Sequence, residues 1–233
     1  MNVKKHPQLN IVKALTLPGV QPLKTLFVFL FVACFPAYAV PLQETTTPKT
    51  FADWCLNKTN LSVETQRTVD AMLQVAKTTD CNQASRLLSA LTELSLSNNQ
   101  IADLKPLSTL TNLTTLSLDS NQIADLKPLS TLTNLTRLYL SSNQIADLKP
   151  LSTLTNLTEL LLGSNQITDI RPLSTLTNLT NLYLNKNRIA DLKPLSDLTK
   201  LTVLSLGDNP SLTDKTCPVK PASTCRFVLE KDQ

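Results

Sequence analysis

The chain has 233 residues, 42% of them hydrophobic and 17% charged, a balance that suits a globular protein and excludes a disordered polyelectrolyte. Its net charge of +4 is confined to the first 39 residues, where Lys4, Lys5, Lys13 and Lys24 stand without an acid. Beyond them 18 basic residues face 18 acidic ones, so no basic excess remains to favour nucleic acid or an anionic membrane surface.

Residues 1–39 read as a secretory signal peptide. Lysines precede the apolar run 26–35, LFVFLFVACF, which is followed by Pro36 and the small-x-small pattern Ala37-Tyr38-Ala39. A run of this length falls short of the roughly 20 apolar residues that span a bilayer. Cleavage after Ala39 therefore leaves no membrane span and places the chain outside the cytoplasm, secreted or periplasmic. Two other readings stay open: a retained anchor, and a lipid on Cys34, because Phe31-Val32-Ala33-Cys34 loosely resembles a bacterial lipobox. Residues 40–50, VPLQETTTPKT, are poor in apolar side chains and read as a flexible lead-in.

Residues 51–90 read as a helical N-terminal cap. Ser62 is a plausible N-cap, and Val69, Met72, Leu73 and Ala76 recur at helical spacing behind it, flanked by Cys55 and Cys81. Ala84, Leu87 and Leu88 lead on toward the first strand. With Cys34 removed, Cys55, Cys81, Cys217 and Cys225 remain, an even number that in an exported chain points to disulfides.

From residue 91 to 212 one unit repeats. Leu91, Leu113, Leu135, Leu157, Leu179 and Leu201 each open a near-copy, spaced by 22 residues, and the first reads LTELSLSNNQIADLKPLSTLTN. Leucine or isoleucine holds positions one, four, six, eleven, fourteen, seventeen and twenty. The sixth copy is incomplete, losing register after Asn209. The alternation Leu94-Ser95-Leu96 predicts a short strand, and six such strands stack in parallel at about 4.8 Å. Asn99, Asn121, Asn143, Asn165, Asn187 and Asn209 form a column at the following bend, where a buried amide needs backbone partners. Pro106, Pro128, Pro150, Pro172 and Pro194 rule out a strand on the return path and suit the first turn of a short helical or 3₁₀ segment. A lone unit cannot bury its leucines, whereas stacked units form one continuous core.

The pattern LxxLxLxxNxI, then D-L-x-P-L and L-T-N, as in LTRLYLSSNQIADLKPLSTLTN over 135–156, resembles leucine-rich-repeat proteins of the 22-residue, internalin-like class. The resemblance covers roughly half of the chain. It implies an α/β solenoid, a right-handed curved rod with strands on the concave face and 3₁₀ turns on the convex face, and a concave face that binds proteins. The 213–233 segment is left as a C-terminal cap or tail, without a cell-wall sorting signal. Five strand steps, about 25 Å, separate the first and last repeats. Bridged cysteines need Cα atoms within about 7 Å, so only Cys55–Cys81 with Cys217–Cys225 survives among the three pairings.

Catalytic constellations are missing from the sequence. The single histidine, His6, lies in the leader, and only Gly163 and Gly207 remain beyond it. A serine or cysteine triad, a histidine metal site and a phosphate-cradling loop are thus all excluded, and no cofactor is expected. Glu93 and Glu159 share a column but lie three strands apart, about 14 Å, beyond glycosidase spacing. Asn-x-Ser/Thr sequons occur at Asn57, Asn60, Asn112, Asn134, Asn156 and Asn178; the last four are copies of the repeat's own turn, and they read as turn chemistry rather than as glycan sites.

The first three units share an identical NQIADLKPLSTLTN and differ only at positions three, five, seven and eight. Positions three and five point away from the core, onto the concave face. Lys105, Ser108 and Thr109 on the other side are unchanged in the next two units, which favours concave diversification over free drift. Down the columns, Tyr139, Leu161 and Tyr183 are expected to form a contiguous strip edged by Arg137, Glu159 and Asn181, a composition typical of interface hot spots. The bland reading is a cross-strand stack with Arg137 paired to Glu159. The opposite columns of Lys105, Lys127, Lys149, Arg171 and Lys193 with Asp103, Asp125, Asp147, Asp169 and Asp191 read as a locally neutral, solvated face. The expected ligand is a protein or peptide; a glycan stacked on the tyrosines, or a purely structural envelope role, are the alternatives.

Overall fold

The computed structural model of the protein describes residues 49–228; the leader, Cys34, His6 and most of the 40–50 lead-in lie outside the described residues. The cap contains three α-helices, α1 (Phe51–Leu56), α2 (Val63–Ala76) and α3 (Cys81–Ser89), where the periodicity at the sequence level picks out only the second. Thr50 caps α1 in a reciprocal box with Asp53: its hydroxyl accepts from the Asp53 N–H at 3.3 Å, and its own N–H donates to Asp53 Oδ2 at 2.9 Å. The last two residues of the expected lead-in therefore belong to the cap.

Ser62 caps α2 as expected, accepting from the Thr65 N–H at 3.3 Å. Val69 and Met72 are fully buried, with Leu73 and Ala76 packed at the margin. Of the residues leading to the first strand, Ala84 and Leu88 are buried while Leu87 remains 48% exposed. Cys55 and Cys81 are bonded, with Cα atoms 5.5 Å apart, tying α1 to the start of α3. Thr65 Oγ1 donates to Asp103 Oδ2 at 2.5 Å and Thr68 Oγ1 to the Asp103 carbonyl at 2.7 Å. Those two bonds seat α2 on the first repeat.

The repeats supply strands β1 (Glu93–Ser95), β2 (Thr115–Ser117), β3 (Arg137–Tyr139), β4 (Glu159–Leu161), β5 (Asn181–Tyr183) and β6 (Val203–Ser205). They pair in parallel in chain order, each residue beside its counterpart 22 positions on, in one open sheet. Return segments such as Lys127–Thr131 and Lys149–Thr153 form 3₁₀ turns with the proline in the first turn, where its missing N–H costs nothing. The aspartate two residues ahead organises each turn: Asp125 Oδ1 accepts from the Lys127 N–H at 2.8 Å, and Asp147 repeats this at Lys149. Leucine columns from consecutive repeats fill the space between sheet and turns, and nearly all are fully buried.

The asparagine column stitches neighbours together. Asn143 Oδ1 accepts from the Ile123 N–H of the preceding repeat at 3.0 Å, while its Nδ2 donates to the Leu118 and Leu140 carbonyls, both at 3.0 Å. Asn121, Asn165, Asn187 and Asn209 repeat the pattern; the Asn99 side chain, with no repeat before it, donates only to the Ser97 carbonyl, two residues back. Position eight, just before each asparagine, is left-handed in every repeat: Asn98, Ser120, Ser142, Ser164, Lys186 and Asp208 have φ between 56° and 62°. None of these is glycine, so each costs about 1–2 kcal/mol locally. Inter-repeat bonds such as Ser120 N–H to the Ser141 carbonyl, 2.8 Å, offset that strain.

A seventh strand, β7 (Cys225–Arg226), adds to β6; it comes from non-repeating sequence, where no periodicity marks a strand. The Cys217–Cys225 disulfide, Cα atoms 5.7 Å apart, holds it in place. Leu212, one position late in the sixth repeat, still reaches the core at 5% exposure.

Asn143→Ala strands the Ile123 N–H and two carbonyls in the interior and should cost about 3 kcal/mol in urea unfolding, against less than about 1 for Asn99→Ala. Equal losses at the two positions would show that the column does not tie the repeats.

Candidate functional site

On the sheet, positions four and six turn inward, and positions three and five turn outward. Burial alternates accordingly, with Leu138, Leu160 and Leu182 inaccessible between half-exposed neighbours. The register sets Tyr139 beside Leu161 and Leu161 beside Tyr183, with Arg137, Glu159 and Asn181 aligned two residues earlier. All six residues therefore sit together on β3, β4 and β5. The strip is half-buried; the most exposed large apolar side chains, Leu56, Val63 and Val228, lie elsewhere, in the cap and at the C-terminal end.

The polar edge differs from the simple pairing of Arg137 with Glu159. Arg137 reaches the other way, its Nε donating to Thr115 Oγ1 at 3.1 Å and its Nη2 to Glu93 Oε1 at 3.2 Å, two strands distant. Glu159 instead accepts from the Tyr139 hydroxyl at 3.1 Å. Desolvation first, and then this bond to a carboxylate, push the Tyr139 phenol above its ordinary value. Both partners are thereby oriented: the ring of Tyr139 leans along the sheet toward β4, and the carboxylate of Glu159 is held.

Beyond the strip, position seven, which varies among the repeats, shapes the surface. Gly163 has no side chain because its place is taken: a Cβ there would lie 2.9 Å from Asn185 Oδ1. The one sequence signal was that both glycines beyond the leader, Gly163 and Gly207, fall at this position. Toward β1 the same position is polar and closed, with Asp119 accepting from Ser117 Oγ at 3.2 Å and from the Ser141 N–H at 2.8 Å.

On the far side of the repeats the hydroxyls are engaged. Ser108 Oγ donates to the Lys105 carbonyl at 2.7 Å, and Thr131 Oγ1 to the Ser108 carbonyl of the preceding repeat at 3.3 Å; the later copies repeat both bonds. These hydroxyls are constrained by structure, so their invariance is no control for drift, and the contrast with the sheet face loses much of its force. The sequon asparagines are likewise occupied: Asn134, Asn156 and Asn178 each donate Nδ2 to a threonine carbonyl of the repeat before, at 2.9 Å. In the charged columns, Arg171 hydrogen-bonds Asp169 through side chain and backbone and holds that carboxyl at about 2. Among the described residues no group of three or more His, Cys, Asp or Glu side chains gathers to hold a metal ion. Glu93 and Glu159 stay three strands apart.

The family model for leucine-rich repeats in two copies matches residues 89–131, 133–176 and 177–216. Among solved structures, the chain is similar to an internalin, InlF, of Listeria monocytogenes, with 35% identity and a TM-score of 0.57 over 61% of this chain and 43% of that one. It is also similar to internalin C2 of the same organism, with 30% identity and a TM-score of 0.52 over 69% of this chain and 90% of that one. The chain thus spans less than half of the first relative and most of the second. No curated protein sequence matches it.

The fold favours neutral Tyr139, so its contribution to stability is complete below the ordinary phenol value near 10 and is lost as pH rises through the higher folded value. The stability difference between the protein and Tyr139→Phe should accordingly be constant up to about pH 9 and change only above it, as read by urea unfolding across pH 3–12. A change centred between pH 4 and 6 would place the coupling on a carboxyl group instead.

Proposed function

The chain belongs to the leucine-rich-repeat family, in its internalin-like class, and from that premise we propose that it is an exported binding module that holds a protein or peptide against the outer face of its sheet. A leucine-rich-repeat solenoid of this kind is in general a protein-interaction module. The single observation that carries the finer reading is the alignment of Tyr139, Leu161 and Tyr183 on three adjacent strands, edged by Arg137, Glu159 and Asn181. Tyrosine supplies a large contact area at low entropic cost, and an apolar centre with a polar rim is how an interface excludes water. Binding, not catalysis, is the activity we assign.

A protein ligand is preferred to a glycan on a specific ground. The two tyrosines are separated by Leu161, and Tyr139 is tied to Glu159, so no continuous aromatic platform faces outward. Export is supported by the leader at 1–39 and by two disulfides, bonds that persist in oxidising compartments. Among the described residues no helix is long and apolar enough to cross a membrane.

Tyr139→Ala combined with Tyr183→Ala should lower the unfolding midpoint yet leave the protein folded, as read by circular dichroism, and weaken capture of a defined polypeptide partner by at least about tenfold, since each tyrosine anchor is worth more than about 1 kcal/mol. Undiminished capture would remove the strip from the interface. Intact-mass measurement of protein recovered from the culture medium or periplasm should show an N-terminus at Val40; retention of residues 1–39, or an added lipid mass on Cys34, would refute the cleaved, soluble form.

A further inference from the structure

The outer face of the sheet is not uniformly charged. Toward β1 its ions are engaged: Glu93 with Arg137, and Asp119 with Ser117 and the Ser141 backbone. At β4, Glu159 holds the Tyr139 hydroxyl. The fifth repeat breaks this pattern. Lys186 and Arg188 stand where the fourth repeat has Ser164 and Gln166, just beyond Tyr183 and the Asn185 that covers Gly163. Both are exposed, and among the described residues neither side chain has a hydrogen bond or ion pair. Only their backbones are fixed, Lys186 N–H to the Gly207 carbonyl at 2.8 Å and Arg188 N–H to the Ile167 carbonyl at 2.9 Å. Asp208, one repeat further on at the position of Lys186, makes no ion pair with it; Arg188 is flanked by Gln166 and Pro210.

We infer that the partner is an acidic polypeptide segment, seated with apolar side chains on Tyr139, Leu161 and Tyr183 and with aspartate or glutamate reaching Lys186 and Arg188. This inference rests on the reading of the strip as the interface and adds the partner's chemistry and direction. Two cations without an ion pair at one end of the apolar strip, outnumbering the single free carboxylate of Asp208 beside them, and occupied carboxylates at the other end, favour one orientation of the bound segment. Rim charges of this kind speed encounter and select sign, and they lose their effect at high salt. The left-handed φ of 56° at Lys186 holds its backbone in the same place as Ser164 in the repeat before, so the charge can be removed without disturbing the turn.

The test uses a displayed library of random 12-residue peptides panned against the full mature protein, with the best binder then measured by fluorescence anisotropy. The expected result is enrichment of Asp and Glu beside aromatic or aliphatic residues. For the selected peptide, Lys186→Ser with Arg188→Gln, the residues of repeat four, should weaken binding about fivefold and flatten its salt dependence. Tyr139→Ala with Tyr183→Ala should abolish it. Peptides that need the tyrosines but bind the Lys186→Ser, Arg188→Gln protein equally well would overturn the acidic partner and leave the strip standing. Peptides that need the two cations but not the tyrosines would overturn the strip itself. No peptide enrichment, with binding to polygalacturonate instead, would overturn both in favour of an acidic glycan.

Discussion

A unit of 22 residues with seven apolar positions has no interior of its own, because its leucines all turn to one side of a single coil of chain. They leave water only when an identical coil is laid against each side, and every feature of the protein follows from that need. Apolar burial is worth about 25 cal/mol per Å², enough to drive stacking but too undirected to set a register. Direction comes from polar groups. Each buried asparagine from the second repeat on accepts from a backbone amide of the repeat before and donates to carbonyls on both sides of the repeat boundary. A slip of one residue would leave all of these groups buried without partners.

The same stacking divides the surface into two chemistries. On the side of the 3₁₀ turns, aspartate, serine and threonine side chains are consumed in local and inter-repeat hydrogen bonds, so their sameness reflects architecture. On the sheet, positions three and five carry side chains that the backbone ladder does not use. They are free to differ, and translation from one strand to the next turns differences in sequence into a patterned surface. Tyr139, Leu161 and Tyr183 are 22 residues apart in the chain and neighbours in space for this reason alone. Function on such a scaffold is written in columns.

Ends are where translation fails. The first repeat has no predecessor, so Asn99 stays half-exposed, and α2 covers the exposed coil with hydroxyl bonds to Asp103. The last repeat is covered by β7, a two-residue strand held by a disulfide instead of a hydrophobic unit. Cross-linking suits both places, since neither cap owns enough apolar surface to fold by burial alone.

Periodicity by itself determined the strand register, the inward leucines, the need of the asparagine column for backbone partners and the cysteine pairing. Each is a consequence of repeating one coil at fixed spacing, and spacing is visible in a string of letters. What repeats only in backbone, or does not repeat, was decided by the tertiary structure. The left-handed residues at position eight were hidden because serine, asparagine, lysine and aspartate all occupy that place without glycine to mark it. The choice of Arg137 for Glu93 over Glu159 depends on where a long side chain finds its acceptor, and the adjacent strand offered Tyr139 to Glu159 instead. The additional cap helices and β7 arise from single-copy sequence, whose placement is set by what the open ends of the stack require and not by any local pattern.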